Sequence, residues 1–172
     1  AVEHSNDRYY AQLAARHLGT IHHEIVVTPL EMWNAIPEVI FHLESFDQSL
    51  VRSAVANFFL AKLAAQEVKV VLTGEGADEL FAGYAYLTQF EDGNDLHQEL
   101  WNITNELHNT NLQRVDRMTM AHGLEARVPF LDKEVIDWAM RISPGFKRNA
   151  GISKWCLREA FRGLLPDFII NR

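Results

Sequence analysis

The sequence predicts an α/β fold with few strands and a helix-rich C-terminal half. An apolar run ends at Thr73, and the glycine-rich sequence Gly74–Gly76 and a helical pattern follow it. A second strand is predicted over residues 21–27, so the order of elements before residue 92 is α-β-α-α-β-α. That alternation is typical of a parallel sheet covered by helices. Beyond residue 92 the pattern is helical almost throughout.

Composition narrows the functional classes. The chain has 172 residues, of which 48% are hydrophobic and 23% charged, and its net charge is −7. An acidic chain lacks the basic patch of a nucleic-acid-binding protein, and no apolar run approaches the roughly 20 residues of a membrane span. The single cysteine, Cys156, is typical of a reducing compartment. We therefore expect a cytoplasmic protein with neither nucleic acid nor membrane as a partner.

Three helices are predicted before the glycine-rich segment. The first is capped by Asn6 and stops at Gly19. The second starts at a capping box over residues 28–31 and is broken at Pro37. The third covers residues 50–66.

The predicted elements after the glycine-rich segment are helices joined by short connections. A helix is predicted directly after the glycine-rich segment, over residues 77–90. Residues 124–131 are predicted to form an extended connection, and Asp132 is predicted to cap the helix that follows it. The other helices are predicted over residues 96–108, 112–122 and 153–163. Two strands are too few for a stable open sheet, so we expect the chain to be part of a larger protein with strands before Ala1.

The segment after the apolar run that ends at Thr73 is the strongest candidate site. In open α/β sheets, ligands bind at the carboxyl ends of the strands, and the amides that open a helix attract anions. Glu75, Asp78 and Glu79 place negative charge at this point. A phosphate would be repelled unless a divalent cation such as Mg²⁺ bridged it to the carboxylates. The alternative interpretation is that the acids only complement the helix dipole.

Basic residues elsewhere could hold an anionic group. Arg52 and Lys154 both lie near predicted helix starts, where the dipole disfavours a cation. Lys154, Arg158 and Arg162 are spaced four apart and predict one cationic stripe. A solvated surface is the alternative for these positions. The charged segment 114–132 is interpreted as mainly structural, with buried or half-buried pairs that include the side chains Asp116, Glu125 and Arg127.

Three common motifs are absent from the sequence. There is no G-x-x-x-x-G-K-S/T phosphate loop, no third glycine of a dinucleotide fingerprint and no G-x-S-x-G nucleophile elbow. These absences exclude P-loop kinases, Rossmann dehydrogenases and α/β-hydrolases.

Long segments of the chain resemble the synthetase domain of glutamine-hydrolysing asparagine synthetases. The segments are VKVVLTGEGADELFAGY (68–84), RVDRMTMAHGLEARVPFLDKEVIDWAM (114–140) and SKWCLREAFRGLLP (153–166). The resemblance implies an adenine-nucleotide alpha-hydrolase-like fold of the ATP-pyrophosphatase type. The chain would be one partial domain, with an α/β nucleotide-binding part (1–92) and a helical part (93–172).

The resemblance also implies a reaction. Such enzymes activate the β-carboxylate of aspartate with ATP and Mg²⁺, and ammonia from a glutaminase domain then gives asparagine. Glu75 would orient or deprotonate the ammonia, Asp78 would bind Mg²⁺, and Lys154 would offset the charge of the pyrophosphate. The implied contacts to nucleotide and substrate are Thr73, Gly74, Gly76 and Arg52. A homodimer is a further expectation.

Two features of the family pattern are missing. The sequence has no Ser-Gly-Gly-x-Asp-Ser-Ser nucleotide loop and no glutaminase domain, and Cys156 is internal. We expect a fragment that is inactive alone. The alternatives are a non-catalytic binding or assembly module, and a related adenylating ligase with another acyl substrate.

Overall fold

The computed structural model describes residues 7–172, and within them it shows helices around a small parallel sheet. The order is α1 (Asp7–Leu18), α2 (Pro29–Leu43), α3 (Gln48–Ala64), β1 (Val70–Leu72), α4 (Ala77–Leu80), α5 (Gly93–Asn105), α6 (Asn111–Met120), β2 (Glu125–Arg127), α7 (Lys133–Arg141), α8 (Pro144–Lys147), α9 (Trp155–Ala160) and α10 (Asp167–Ile170). Short 3₁₀ helices cover Ala85–Gln89, Glu106–Asn109 and Pro129–Leu131.

The sheet consists of β1 and β2 paired in parallel. Val70 lies opposite Glu125 and Leu72 opposite Arg127, and the Thr73 N–H continues the pairing by donating to the Arg127 carbonyl at 2.9 Å. β2 lies in the segment predicted as an extended connection. β1 is formed by the apolar run that ends at Thr73, and this strand is not fully buried, since Leu72 is 73% exposed. The parallel pairing brings the segments that follow both strands to the same edge.

The strand predicted over residues 21–27 is wrong. The segment has no regular secondary structure, and Ile21 is 88% exposed. A strand is defined by backbone hydrogen bonds to a neighbour. Among residues 7–172, the sheet contains only β1 and β2, so this apolar segment has no ladder to join.

The break predicted at Pro37 is also wrong, because α2 runs through it. Proline removes a helical hydrogen bond and crowds the preceding turn. Buried residues on both sides of Pro37 pack into one cluster with α3 and α6. They are Ala35, Val39 and Leu43. Packing of one continuous apolar face therefore outweighs the local cost of the proline.

Several predicted helix ends are confirmed. α1 ends before Gly19, whose φ is +66°, and the capping box at Thr28 is complete: the Glu31 N–H donates to Thr28 Oγ1 and the Thr28 N–H to Glu31 Oε2. Asp132 caps α7 by accepting from the Glu134 N–H at 2.9 Å. The predicted cap Asn6 lies outside the described residues.

The long helix predicted over residues 77–90 is wrong, because α4 stops after one turn at Leu80. Ala82 then adopts a left-handed conformation with φ +55°, and the Gly83 N–H returns to the Asp78 carbonyl at 2.8 Å. A single turn carries little macrodipole. The anion site expected from a helix start is therefore not supported by this geometry.

The core consists of three clusters of buried residues. One lies between α2, α3 and α6, a second joins α4 to α7 and α9, and a third lies between Ala82 and α5. α6 packs on α3, and β2 pairs with β1. Elements on both sides of residue 92 thus share a core, while the division at that residue stays a prediction. No helix within residues 7–172 has the length and apolar character needed to cross a membrane.

One core residue is a lysine. Lys147, at the end of α8, is 0% exposed, and its Nζ has no hydrogen-bond partner among the described residues. Burial lowers the pKa of Lys147 to about 8, and the nearby Cys156 raises it slightly against that trend. The sequence pattern gave no sign of a buried cation at this position.

Candidate functional site

The segment Thr73–Gly76 lies at the carboxyl end of β1, and its first three residues border a groove of about 370 Å³. The groove is walled by Leu60 and Ala61 of α3 and by Val115 of α6. Thr73 Oγ1 is buried and has no hydrogen-bond partner among the described residues. A buried hydroxyl left unpaired is costly, so this atom is suited to a polar ligand in the groove.

The two nearest glycines differ in their surroundings. Gly74 is exposed, and a Cβ there would meet nothing within 4 Å. Gly76 has φ +94°, and a Cβ there would lie 2.5 Å from Leu131 Cδ2. A side chain at Gly76 is thus excluded by the protein itself. Gly74 faces open space where a ligand can approach the backbone, and both stay predicted nucleotide contacts.

Glu75 forms an ion pair with Arg114 of α6. Glu75 Oε1 lies 2.7 Å from Arg114 Nη2, and the two side chains are 18% and 15% exposed. The buried Arg114 Nε has no acceptor among the described residues. The pair holds Glu75 in one position beside the groove and leaves the Nε–H of the guanidinium available.

Asp78 and Lys154 form a second ion pair, with Lys154 Nζ 2.9 Å from Asp78 Oδ1. Lys154 immediately precedes α9 and has a left-handed φ of +53°. Its backbone N–H donates to the Phe81 carbonyl at 3.1 Å, which ties it to the turn after α4. Two predicted site residues, distant in sequence, are therefore in direct contact.

Gly83 is a site residue that the sequence interpretation missed. A Cβ at Gly83 would collide with Asp78 Oδ1 and with Lys154 Cε. The missing side chain is what allows these two residues to meet. The sequence G-Y after a helical segment carried no signal of this contact.

Replacing Gly83 by alanine is expected to separate Asp78 from Lys154, since the new methyl group occupies their contact. For the reaction that the resemblance implies, we expect pyrophosphate release from ATP by the natural polypeptide that carries this sequence to fall at least about tenfold, because positioned charges lose most of their effect when displaced by about an ångström. Steady-state kinetics measures the change. Gly145→Ala is the control, because a Cβ at Gly145 would meet nothing within 4 Å. Equal rates for the two variants would contradict the prediction.

Glu79 lies at the centre of a buried hydrogen-bond network. It is 3% exposed and accepts from the Tyr84 hydroxyl at 2.5 Å and from Asn111 Nδ2 at 3.0 Å. Burial and the adjacent Glu79 carboxylate raise the pKa of Tyr84 well above its ordinary value. The network joins α4 to α6 beside the two ion pairs.

Arg52 is not brought to these contacts. Its side chain is exposed on α3 and makes no hydrogen bond or ion pair with residues 7–172. Its predicted role in binding substrate stays a prediction. The neighbouring Ser49 and Ser53 line a pocket that also contains Glu79 and Arg114.

The predicted cationic stripe is wrong, because each of its members has its own partner. Arg158 donates from Nε to the Ser153 carbonyl at 2.8 Å, and its Nη1 reaches carbonyls of the last residues. Arg162 pairs with Glu159 at 2.5 Å. α9 ends at Ala160, so the helical spacing that predicted the stripe does not extend to residue 162.

The buried pairs predicted in the segment 114–132 occur only in part. Arg114 is mostly buried with Glu75, but the Glu125–Arg127 pair is exposed on β2, with side chains 57% and 64% accessible. Asp116 is also exposed. The apolar residues nearby in sequence do not bury these charges, because one face of β2 is exposed to solvent at Glu125 and Arg127.

The site suits Mg²⁺ only in company with a phosphate ligand. No group of three or more His, Cys, Asp or Glu side chains suited to a metal occurs within residues 7–172. Mg²⁺ commonly uses one or two carboxylates and takes its other ligands from phosphates and water. Asp78 fits that arrangement, and Lys154 beside it is suited to the same phosphates.

Comparisons with known proteins cover nearly the whole chain. A family described as asparagine synthase matches residues 1–94 and 88–172. The chain is 42% identical over 171 residues to asparagine synthetase B [glutamine-hydrolyzing] of Escherichia coli, and the match covers 98% of this chain and 31% of that protein. Asparagine synthetase [glutamine-hydrolyzing] 2 of Lotus japonicus is 42% identical over 180 residues, which is 99% of this chain and 31% of that protein.

A third relative comes from yeast. Asparagine synthetase [glutamine-hydrolyzing] 1 of Saccharomyces cerevisiae is 41% identical over 160 residues, which cover 90% of this chain and 28% of that protein. The chain therefore spans about 30% of the length of the curated relatives it matches.

Proposed function

Because the chain belongs to the asparagine synthase family, we propose that it carries part of the site at which asparagine is made from aspartate, ATP and ammonia. The observation that carries the proposal is the pair of ion contacts beside the groove at the end of β1. Glu75–Arg114 and Asp78–Lys154 place two carboxylates and two cations around an open backbone segment. Such a set can hold a triphosphate, its metal and a carboxylate substrate in one place.

The proposed reaction has two steps. An oxygen of the aspartate β-carboxylate attacks the α-phosphorus of ATP, and the bond to pyrophosphate breaks. The nitrogen of ammonia then attacks the acyl carbon, and AMP leaves with the shared oxygen. The ammonia is supplied by glutamine hydrolysis elsewhere in the protein, as the names of the relatives indicate for those enzymes.

Each site residue has a role that its surroundings support. Thr73 contributes its unpaired hydroxyl and Gly74 its exposed backbone to nucleotide binding. Glu75, held by Arg114, orients the ammonia or accepts its proton. Lys154 stabilises the negative charge that grows on the leaving pyrophosphate.

Asp78 is the proposed residue for Mg²⁺. When bound, the metal neutralises charge on the phosphate oxygens. Asp78 contacts Lys154 at 2.9 Å, so the carboxylate is already oriented toward the cation that the phosphates also need. A homodimer, a cytoplasmic location and an ATP-pyrophosphatase fold belong to the same proposal, and the family relationship supports them.

The proposal is tested with the natural polypeptide that carries this sequence. Supplied with ATP, Mg²⁺, ammonia and aspartate labelled with ¹⁸O in its β-carboxylate, it is expected to release pyrophosphate and to transfer one ¹⁸O into AMP. Mass spectrometry of AMP measures the transfer, and omission of aspartate is the control. Formation of ADP with ¹⁸O in inorganic phosphate, or the absence of any aspartate-dependent product, would contradict the proposal.

A further inference from the structure

Lys154 adopts a backbone conformation that a lysine avoids on its own. Its φ of 53° and ψ of 32° lie in the left-handed region, where the Cβ atom crowds the following carbonyl oxygen. Such a conformation persists only where the surrounding structure holds it in place. The contacts of the two peptide groups that flank the Lys154 Cα atom therefore decide where its side chain points.

The peptide group before Lys154 is held at both of its polar atoms. The Ser153 carbonyl accepts from Arg158 Nε at 2.8 Å, and the Lys154 N–H donates to the Phe81 carbonyl at 3.1 Å. The peptide group after Lys154 is bound as well, since the Lys154 carbonyl accepts from the Arg158 N–H at 2.9 Å. Because each peptide group is planar, holding both of them fixes the φ and ψ of Lys154. Arg158 takes part on both sides, once with its side chain and once with its backbone.

The guanidinium of Arg158 is also attached to α10. Its Nη1 donates to the Arg172 carbonyl at 2.8 Å and to the carbonyl of Ile170, the last residue of α10. The last carbonyls of a helix have no partner within the helix, and basic side chains commonly satisfy them. Ile170 is 4% exposed, so α10 is packed in the core and gives Arg158 a fixed attachment.

Arg158 serves in these contacts as a hydrogen-bond donor of fixed geometry. Its side-chain acceptors are all backbone carbonyls, and it forms no ion pair within the part of the chain that the structure describes. A guanidinium presents its N–H groups in one rigid plane, whereas the ammonium of a lysine is a compact point charge. The planar group can therefore hold the backbone before Lys154 and the end of α10 in one relative position.

We propose that Arg158 is the positioning residue for Lys154, because it fixes the left-handed backbone from which the lysine amine reaches Asp78. The inference rests on the proposed function, under which that amine stabilises the leaving pyrophosphate. Lys154 Nζ lies 2.9 Å from Asp78 Oδ1, and a displacement of about an ångström removes much of the effect of such a group. Arg158 does not line the groove at Thr73, so its effect reaches the site through Lys154.

The first test is a loss of turnover without a loss of substrate binding. In the natural polypeptide that carries this sequence, Arg158→Gln is expected to lower kcat for pyrophosphate release about tenfold or more. The KM values for ATP and aspartate are expected to change less than about twofold, because the proposed role of the amine belongs to the transition state. Arg158→Lys keeps the charge without the planar donors, and its kcat is expected to stay at least about threefold below that of the unmodified protein.

A double-mutant cycle tests whether the effect passes through Lys154. In a Lys154→Met background, Arg158→Gln is expected to lower the remaining rate less than about twofold, because the amine that it positions is already gone. A residue that served only the general stability of the fold would cause the full loss in both backgrounds. Arg162→Gln is the matched control, since Arg162 pairs with Glu159 on the surface, and this variant is expected to keep the unmodified rate.

Amide hydrogen exchange separates this inference from the proposed function, because it needs no catalysis. The Lys154 N–H is expected to exchange at least about tenfold faster in Arg158→Gln and Arg158→Lys than in the unmodified protein. The Gly83 N–H, which donates to the Asp78 carbonyl at 2.8 Å, is the internal reference and is expected to keep its rate.

The outcomes decide the two proposals separately. Faster exchange at Lys154, with no pyrophosphate release by the unmodified protein, would refute the proposed function and keep the positioning role. Unchanged exchange and an unchanged kcat in folded Arg158→Gln would overturn the positioning role alone. An equal loss of rate with and without the Lys154 amine would overturn it as well. Where Arg158→Gln does not fold, the same measurements on Arg158→Lys decide.

Discussion

Replacing Lys154 by methionine is expected to lower kcat/KM for aspartate-dependent pyrophosphate release by about 100-fold or more. The change removes the cation beside Asp78, where the two side chains meet at 2.9 Å. Under the proposed function, Asp78 would then repel the phosphates of ATP, whose charge Lys154 would otherwise neutralise. The rate is measured with the natural polypeptide, and the far-ultraviolet circular dichroism spectrum checks that the fold is kept.

Two further variants test whether the loss of rate is specific to the charge at residue 154. Lys154→Arg keeps the charge and is expected to recover part of the rate. Lys133→Met removes an exposed lysine of α7 and is expected to have no effect. A loss of less than about threefold in Lys154→Met would show that the amine is not needed for the release of pyrophosphate.

Replacing Lys147 by methionine is expected to stabilise the folded chain at pH 7 by up to about 3 kcal/mol. The pKa of Lys147 is about 8 in the folded protein against an ordinary value of 10.5. Below pH 8 the lysine is charged in both states and its burial cost is fully present. Between pH 8 and 10.5 the unfolded chain binds more protons than the folded one, so stability rises with pH across that window.

Urea denaturation from pH 7 to pH 10 measures both effects. The difference between the unmodified protein and Lys147→Met is the quantity of interest, because it cancels other titrations. The Cys156 thiol is the exception, because burial raises its pKa and the nearby Lys147 lowers it against that larger effect. The stabilising effect of methionine is expected to shrink as pH rises above 8. Lys133→Met, at an exposed position, is expected to give a flat difference, and a flat difference for Lys147→Met as well would refute the prediction.

The acids of the loop are each balanced by a different contact. Glu75 has Arg114, Asp78 has Lys154, and Glu79 accepts from Tyr84 and Asn111. The sequence interpretation treated the three as one negative cluster that needs an outside cation. In the structure each of the three acids has its own partner, so an incoming anion meets less negative charge than the sequence suggests.

Local signals in the sequence predicted local structure well. The glycine stop at Gly19, the capping box at Thr28 and the cap at Asp132 are confirmed because each depends on residues within one turn of one another. The segment after β1 was identified for the same reason. An apolar run followed by glycines is a pattern in adjacent residues.

The errors share a different cause. The segment 21–27 has the composition of a strand but no partner in the described sheet, and β2 has a partner despite two charged residues in three. Strand formation depends on a neighbour that composition does not reveal. Pro37 lies in a helix because the packing of α2 on α3 decides its conformation.

The contacts that build the site could not be predicted from local sequence patterns either. Gly83 matters only because Lys154 reaches it from far along the chain, and Arg114 was interpreted only as part of a charged segment. The resemblance named Glu75, Asp78 and Lys154 but not the residues that hold them. Those residues are identified by three-dimensional proximity.

The left-handed backbone at Lys154 sets a limit on stability engineering. Glu44, Ala82 and Ala150 share this conformation, which costs a non-glycine residue about 1 kcal/mol, and glycine at such positions relieves it. At residue 154 the same substitution would relieve the backbone strain but would remove the side-chain amine. A protein optimised for folding alone would lose its lysine here, and a design programme that scores only stability would select against the site.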